Sequence, residues 1–212
     1  MKIHFALIAG IVAAMMLLPG CTSRFSFQKS GSDGDSLDEL FASRRSVRSY
    51  DATRTISEEE VRSLLTASQQ APSWANRQPS RYYVAITPEK VAAVRECVGE
   101  RNAQNVAGAP VLIVSTFVKG QSGFGMGAQP ANEIGDGWGA YDNGLDNAYL
   151  ILKARDMGFD TLIMGFRDSG KLRSILAIHD SEEVLAVIAL GYRAQEPGTP
   201  NHLALDEIVK FF

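Results

Sequence analysis

The sequence is poor in the residues that carry protein-based chemistry. Among its 212 residues are only 3 histidines, and without His4 of the apolar N-terminal segment the remaining two are too few for a histidine-based metal site. Its 2 cysteines, Cys21 and Cys97, are too far apart in sequence to form a CxxC pair. It also lacks a Walker phosphate loop, an HExxH segment, a GxSxG turn and a GxGxxG pattern after a strand-like run. These absences argue against a resident metal and a protein nucleophile, so a bound cofactor is the expected route to any catalysis.

The chain also lacks an excess of positive charge. Its formal net charge is −3, and removal of the first twenty residues, which contain Lys2 and no acid, would lower this to −4. A negative balance argues against a general nucleic-acid binder, so no nucleic-acid partner is expected. A content of 45% hydrophobic and 21% charged residues is typical of one globular domain with a real core.

The N-terminal segment has the composition of an export signal. Lys2 precedes an apolar run of fourteen residues, Phe5–Leu18, which is too short to span a bilayer comfortably as a helix. The following LPGC sequence resembles the lipobox of bacterial lipoproteins, and this resemblance implies that Cys21 carries lipid and anchors the protein to a bacterial membrane, on the periplasmic or outer face. An ordinary secretory signal and an uncleaved anchor are the alternatives.

The composition therefore predicts three regions. Residues 1–20 form a lipoprotein signal peptide, residues 21–35 a flexible tether rich in serine and glycine, and residues 36–212 the folded domain. If Cys21 carries lipid, Cys97 is the remaining cysteine and no intramolecular disulfide can form. The apolar helical pattern around Cys97 predicts a buried core residue rather than a nucleophile.

Within the domain, helical and strand-like segments alternate. Capping boxes at Ser36 and Ser57 open the first two predicted helices. Later helices are expected from Thr87 to Gly99, from Asp142 to Gly158, over about eight residues before the last strand, and at the C-terminus. Strands are expected at residues 81–86, 110–118, 159–166 and 184–192. Lys119–Gly139 contains seven glycines, which predicts a long functional loop.

An arginine cluster stands out in the segment SRRSVRSY, residues 43–50. Arg44, Arg45 and Arg48 lie within five positions of each other. Guanidinium groups bind phosphate through charge-assisted, often paired hydrogen bonds. Cations are also favoured at the C-terminal end of a helix without any ligand. The residues of this segment alone leave both interpretations open.

Four motifs in order give the domain a family resemblance. RRSVRSY follows the first predicted helix, APSWANRQP follows the second, and LIMGF and LGYR come later. Together they resemble the nitroreductase family of FMN-dependent oxidoreductases over residues 36–212. The resemblance implies an α+β (mixed α/β) fold with a central mixed sheet flanked by helices, and a homodimer with one FMN at each of two interface sites.

The resemblance also implies roles for individual residues. Arg44, Arg45 and Ser46 would hold the FMN phosphate and ribityl chain, and Arg48 would lie near the pyrimidine end of the isoalloxazine. Met164 and Gly165 would run past the flavin N5, where a missing side chain permits close approach. The second motif would approach the flavin of the partner subunit through Pro72, Ser73, Trp74, Asn76 and Gln78.

The late basic residue that the family commonly supplies to the phosphate has no clear counterpart here. His202 in PNHLALDEIV is the nearest match, and Arg193 is the alternative. A neutral imidazole donates one hydrogen bond and has no fixed charge, so phosphate binding through His202 would be weaker or pH-sensitive.

The function implied by the resemblance is ping-pong hydride transfer. NAD(P)H would reduce the flavin at N5, leave, and be replaced by a nitroaromatic, a quinone or a similar small acceptor. No side chain is expected to act as acid or base. The loop at Lys119–Gly139, with Trp138, Tyr141 and Phe166, would shape the acceptor pocket.

Two other functions stay open on the sequence alone. NAD(P)H is scarce outside the cytoplasm, so an exported chain of this kind could instead be a membrane-tethered flavin- or ligand-binding lipoprotein without nicotinamide turnover. The arginine cluster could also bind polyanions, in which case affinity would fall steeply with salt. The negative net charge disfavours this last function.

Overall fold

The computed structural model describes residues 36–125 and 129–212. The predicted signal peptide, the lipidation at Cys21 and the tether lie outside the described residues, so they stay predictions. Within the two described ranges, no helix combines the length and the apolar character that crossing a membrane requires.

The centre of the domain is a four-stranded sheet. Its strands are β1 (Ser80–Ala85), β2 (Val111–Val118), β3 (Asp160–Met164) and β4 (Glu182–Gly191), arranged in the order β1-β2-β4-β3. All three strand pairs are antiparallel, and the parallel contact is one isolated bridge between Ser46 and Thr161. The sheet was predicted to be mixed, but its four strands are antiparallel throughout.

The described part of the chain contains seven helices besides the sheet. The two predicted capping boxes form, since the hydroxyls of Ser36 and Ser57 accept from the third residue of each helix and the Glu39 and Glu60 carboxylates accept in return. The helices are α1 (Leu37–Ser43), α2 (Glu58–Ser68), α3 (Pro88–Arg95), α4 (Glu100–Asn105), α5 (Gly137–Asp156), α6 (Ser169–Leu176) and α7 (Leu205–Ile208).

Two predicted helix boundaries were wrong, both at glycines. Helix α5 begins at Gly137 instead of Asp142, so Trp138 lies on the helix and the preceding loop is shorter than predicted. Gly139 belongs to the helix because it packs against Phe117, whose Cδ2 would lie 2.4 Å from an added Cβ. Helix α3 ends at Arg95, and Gly99, with φ of 76°, is the N-cap of α4, a helix that the sequence pattern did not predict.

The core lies on both faces of the sheet. Successive residues of β2 alternate between two apolar clusters, with Leu112 facing the α3 and α6 side and Ile113 the α2 and α5 side. Burial on both faces explains why β2 reads as one continuous apolar run. Cys97 is 2% exposed in the first cluster, which confirms its predicted place in the core. The architecture confirms the predicted α+β class of helices around a central sheet.

Candidate functional site

The arginine segment leaves α1 and runs in extended form along the edge of the sheet. The backbone N–H of Val47 donates to the carbonyl of Thr161 on β3 at 3.0 Å. Further along, the N–H of Asp51 donates to the carbonyl of Tyr192, just beyond β4, at 2.9 Å. The sheet therefore fixes the backbone on both sides of Arg48, and the cluster is a defined structural feature rather than a loose turn.

The guanidinium groups of this segment are not neutralised by acids. Among the ion pairs of the described residues, none involves Arg44, Arg45 or Arg48. Nη1 of Arg45 donates to the carbonyl of Arg44 at 2.8 Å, and Nη1 of Arg48 donates to the carbonyl of Ser46 at 3.2 Å. Three neighbouring positive charges with spare donors fit a doubly charged phosphate group.

Arg193, by contrast, is committed to protein carboxylates. Its Nε and Nη2 donate to the two carboxylate oxygens of Asp160 at 2.9 and 2.6 Å, and its Nη1 donates to Glu196 at 2.6 Å. The hydrogen bonds with Asp160 are the main reason that the pKa of Arg193 is raised above its ordinary value. This geometry gives no support to Arg193 as a phosphate ligand. His202 is exposed in the C-terminal segment, and its predicted role stays a prediction.

The APSWANRQP loop has a strained backbone. Ala75, Asn76 and Gln78 have φ values of 46°, 54° and 49°, a left-handed conformation that residues with a side chain rarely adopt. Such strain persists only where surrounding contacts impose it, and it is concentrated at functional sites. Three non-glycine residues in this state within four positions therefore mark the loop as a candidate binding element.

Hydrogen bonds hold the loop in this conformation. The backbone N–H of Trp74 donates to the Asp142 carboxylate of α5 at 2.9 Å. The N–H of Gln78 donates to the Ser73 hydroxyl at 2.9 Å, and the Gln78 side chain donates to Oδ1 of Asn76 at 3.1 Å. Pro72, at the start of the loop, is exposed. The residues predicted to approach the partner's flavin are thus brought together in one hydrogen-bonded turn, residues 72–78, which we call the flavin loop.

An aromatic cluster joins this loop to α5 and to the glycine-rich loop. The ring centroids of Trp74 and Trp138 are 4.7 Å apart, and those of Trp138 and Tyr141 are 5.6 Å apart. Nε1 of Trp138 donates to Asn132 in the glycine-rich loop at 3.0 Å. Tyr141 is 58% exposed, so the cluster presents an aromatic surface to solvent. Two of the predicted pocket residues, Trp138 and Tyr141, therefore lie together.

The remaining predicted residues lie at the end of β3. Met164 is buried, whereas Gly165 is exposed and an added Cβ there would meet no atom within 4 Å. Open space above a glycine allows a ligand to approach the backbone closely. Phe166 is exposed beside Gly99 and makes no described contact with the aromatic cluster.

The APSWANRQP loop and the arginine segment are attached near opposite ends of helix α5. Asp142 near its start binds the backbone of Trp74, and Nε of Arg155 near its end donates to the Ser43 hydroxyl at 3.2 Å. These two helix positions are thirteen residues apart, which is about 20 Å at 1.5 Å per residue. The first motif borders β3 and the second leads into β1, the two opposite edges of the sheet. One chain therefore does not bring the two motifs together.

Sequence reasoning missed the polar face that anchors α5. Nδ2 of Asn147 donates to Oδ1 of Asn143 at 2.9 Å, the Ser115 hydroxyl lies 2.7 Å from the same Asn143 oxygen, and the Tyr82 hydroxyl donates to Asn147 at 3.1 Å. Burial raises the pKa of Tyr82 above its ordinary value. The signal was the recurrence of acid and amide residues four apart on α5, as in Asn143 and Asn147, which places them on one helix face.

Comparisons with known proteins identify the family of this chain. A model described as the nitroreductase family matches residues 41–192. The chain belongs to the nitroreductase family. An NADH dehydrogenase of Thermus thermophilus is 28% identical over 191 residues, covering 78% of this chain and 91% of that protein.

Solved nitroreductase-family structures share the fold. A nitroreductase family protein from Streptococcus pneumoniae superposes with a TM-score of 0.73 at 22% identity, covering 84% of this chain and 100% of that one. An oxidoreductase whose crystal structure contains FMN gives a TM-score of 0.65 at 25% identity, covering 76% of this chain and 79% of that one. These likenesses confirm the predicted nitroreductase-like fold.

Proposed function

We propose that this nitroreductase-family chain is an FMN-dependent oxidoreductase that oxidises NAD(P)H and reduces a small electron acceptor. The observation that carries the proposal is the cluster of three arginines at the edge of β3, fixed by the sheet and paired with no described carboxylate. When bound, FMN would supply the redox chemistry that the side chains of this chain lack, namely hydride transfer from reduced nicotinamide and reduction of a second substrate in a ping-pong sequence.

The chain's own residues bind and orient the cofactor. Arg44 and Arg45 offer several N–H donors, and the exposed Ser46 offers a hydroxyl, so these three residues hold the phosphate end. Arg48 supplies a positive charge that favours extra negative charge on a nearby flavin ring. Gly165 leaves its backbone open for close approach. No side chain needs to act as an acid or base in the hydride step.

We infer that the functional unit is a homodimer. The strained loop with Asn76 and Gln78 is anchored about 20 Å from the attachment of the arginine segment on the same α5 helix. In a two-fold symmetric dimer, a contact between one segment of the first chain and another segment of the second chain occurs twice, once for each chain. Each of two sites then takes its phosphate-binding arginines from one chain and its flavin loop from the other.

The acceptor is expected to be a flat aromatic compound such as a nitroaromatic or a quinone. Trp138 and Tyr141 present a partly exposed aromatic surface beside the flavin loop, and aromatic rings stack on such surfaces. The glycine-rich loop, held to Trp138 through Asn132, forms the border of this surface. Among the described residues, Phe166 makes no ring contact with this cluster, so we propose it as a pocket residue only in the assembled dimer.

We further propose that the chain is exported and lipid-anchored through Cys21, because the LPGC sequence follows an apolar run of signal length. An exported enzyme needs a reductant outside the cytoplasm, so a flavin-binding lipoprotein without nicotinamide turnover is the competing function.

Anaerobic stopped-flow reduction separates the two functions. The flavin-loaded protein is mixed with NADH or NADPH, and the visible flavin absorbance is followed. Bleaching by either nucleotide, followed by recovery when a quinone is added, is the expected result. Bound flavin that neither nucleotide bleaches would leave the binding function standing and the oxidoreductase proposal refuted.

A further inference from the structure

From residue 141 to residue 152, the outer face of helix α5 carries no charge. The acids of this stretch, Asp142 and Asp146, are buried on the inner face of the helix. The residues on the opposite face, which we call the outer stripe, are Tyr141, Gly144, Leu145, Ala148 and Leu152. Tyr141 is 58% exposed, Gly144 is exposed and the other three are partly exposed. An exposed helix face normally carries charged and polar side chains, so the outer stripe is a candidate interface.

The spacing of the outer stripe fits a second, identical helix. Its side chains recur at intervals of four, three and four residues, the spacing of a seam between two packed helices: Tyr141, Leu145, Ala148 and Leu152. This series is symmetric about its midpoint, so it is complementary to itself when the second helix runs antiparallel. Tyr141 would then meet the partner's Leu152. Leu145 would meet the partner's Ala148.

Gly144 supports a close neighbour on this face. A glycine inside a helix destabilises it by roughly 0.5–1 kcal/mol relative to alanine. Among the described residues, an added Cβ on Gly144 would meet no atom within 4 Å, so packing within this chain does not require a glycine there. Gly139 on the same helix differs, because Phe117 packs closely against it. A second helix that approaches the outer stripe closely accounts for the glycine at residue 144.

The outer stripe also lies between the two elements of the proposed site. Asp142 binds the backbone of Trp74 in the flavin loop, and Arg155 binds Ser43 beside the arginine segment. The centre of the stripe, between residues 146 and 147, lies about 3 Å along the helix from the centre between Asp142 and Arg155. In an antiparallel pair of α5 helices, each end of one helix lies beside the opposite end of the other. The flavin loop of each chain is then brought towards the arginine segment of its partner.

We propose that two copies of this chain assemble through antiparallel packing of their α5 helices along the outer stripe. The inference rests on the proposed homodimer and adds the surface that joins the two chains. The two-fold axis passes close to residues 146–148 of both helices, whose axes lie at the distance of about 8–10 Å that is usual for packed helices. The contact that joins the chains thereby also completes both sites.

Paired cysteines test this register in the full-length protein. In a Cys21→Ser background, the remaining native thiol is that of Cys97, which is 2% exposed. Tyr141→Cys together with Leu152→Cys places two thiols about 16 Å apart along one helix, too far for a disulfide within a chain. Oxidation with diamide should therefore give a disulfide-bonded dimer on a non-reducing gel. Either single variant should stay unbridged, because in the antiparallel pair equal positions of the two helices also lie about 16 Å apart.

The outcomes separate this packing from the proposed function. A bridged dimer of the double variant supports the packing even if the protein binds no FMN, since the readout uses no flavin. Bridging of a single variant as efficient as that of the double variant would overturn the antiparallel register. A chain that sediments as a dimer but whose double variant forms no bridge would refute the outer stripe as the interface and leave the proposed homodimer standing.

A charge on the outer stripe tests the same packing without added cysteines. Ala148→Arg places an unpaired charge near the centre of the interface, so the dissociation constant of the dimer should rise at least about tenfold in analytical ultracentrifugation. Ala92→Arg is the matched control, because Ala92 is a partly exposed alanine on α3, which packs on the other face of the sheet. Equal dissociation constants for the two variants would refute the proposed packing.

Discussion

Asp160 connects the elements that support the arginine segment, so its replacement is a demanding test. Its carboxylate is 3% exposed and accepts from Nε, Nη2 and the backbone N–H of Arg193, with Arg155 at 3.6 Å. Arg155 also binds Ser43, next to the arginine cluster. Loss of this one charge would leave two guanidinium groups without their buried partner.

We therefore expect Asp160→Asn to destabilise the domain strongly. Removing one partner of a buried ion pair costs about 3–5 kcal/mol. For a domain of this size, each kcal/mol shifts Tm by about 2–4 °C, so a fall of roughly 6–20 °C is expected in thermal unfolding followed by circular dichroism.

Glu196→Gln is the matched control, because Glu196 binds the same Arg193 but its side chain is 78% exposed. An exposed pair contributes about 0–1 kcal/mol, so its Tm should change by a few degrees at most. If Asp160→Asn and Glu196→Gln lower Tm equally, the structural role assigned to Arg193 is wrong.

Three further outcomes are expected. Arg44→Ala should weaken FMN binding roughly 10- to 150-fold through the loss of a charged hydrogen bond, measured by flavin fluorescence after dialysis, and equal retention in Arg44→Ala and in the distant Arg62→Ala would contradict the phosphate role. Asp142→Ala should shift tryptophan emission, because the chain's 2 tryptophans form one cluster anchored by that carboxylate, and an unchanged spectrum would remove Asp142 as the anchor. Asp146→Asn should be more stable than the native chain at neutral pH in urea unfolding. Burial raises the native pKa of Asp146, so its contribution to stability is present below the ordinary value of 3.8 and is lost as pH rises; a difference that shrinks between acid and neutral pH would contradict this.

Much of the fold could be predicted because local chemistry decides it. Ser36 and Ser57 cap helices through contacts three residues away, and the apolar run of β2 can only be buried on both faces of a sheet. Gly139 shows the limit of local rules. Because Gly139 has no side chain, Phe117 can pack closely against it, a tertiary contact that the local sequence does not show. The glycine-rich pattern therefore predicted a loop at a position where the structure has a helix.

The candidate site could be predicted as residue types but not as geometry. The motifs pointed to the arginine cluster and to the APSWANRQP loop as candidate binding elements, yet their attachment about 20 Å apart on α5 depends on Asp142 and Arg155, which no motif marked. The commitment of Arg193 to Asp160 also depends on strands far apart in sequence, since their residues meet only at the shared end of β3 and β4. Charge counts along the chain cannot show which arginines are already paired.

The central claim is that this chain binds FMN and exchanges electrons with a reduced nicotinamide. The most direct measurement is the visible absorbance of the purified full-length protein, recorded anaerobically before and after addition of NADH and then of NADPH. The account predicts the absorbance bands of a bound oxidised flavin and their loss with at least one of the two nucleotides. A colourless protein that takes up no added FMN, or a flavin spectrum unchanged by both nucleotides, would contradict it.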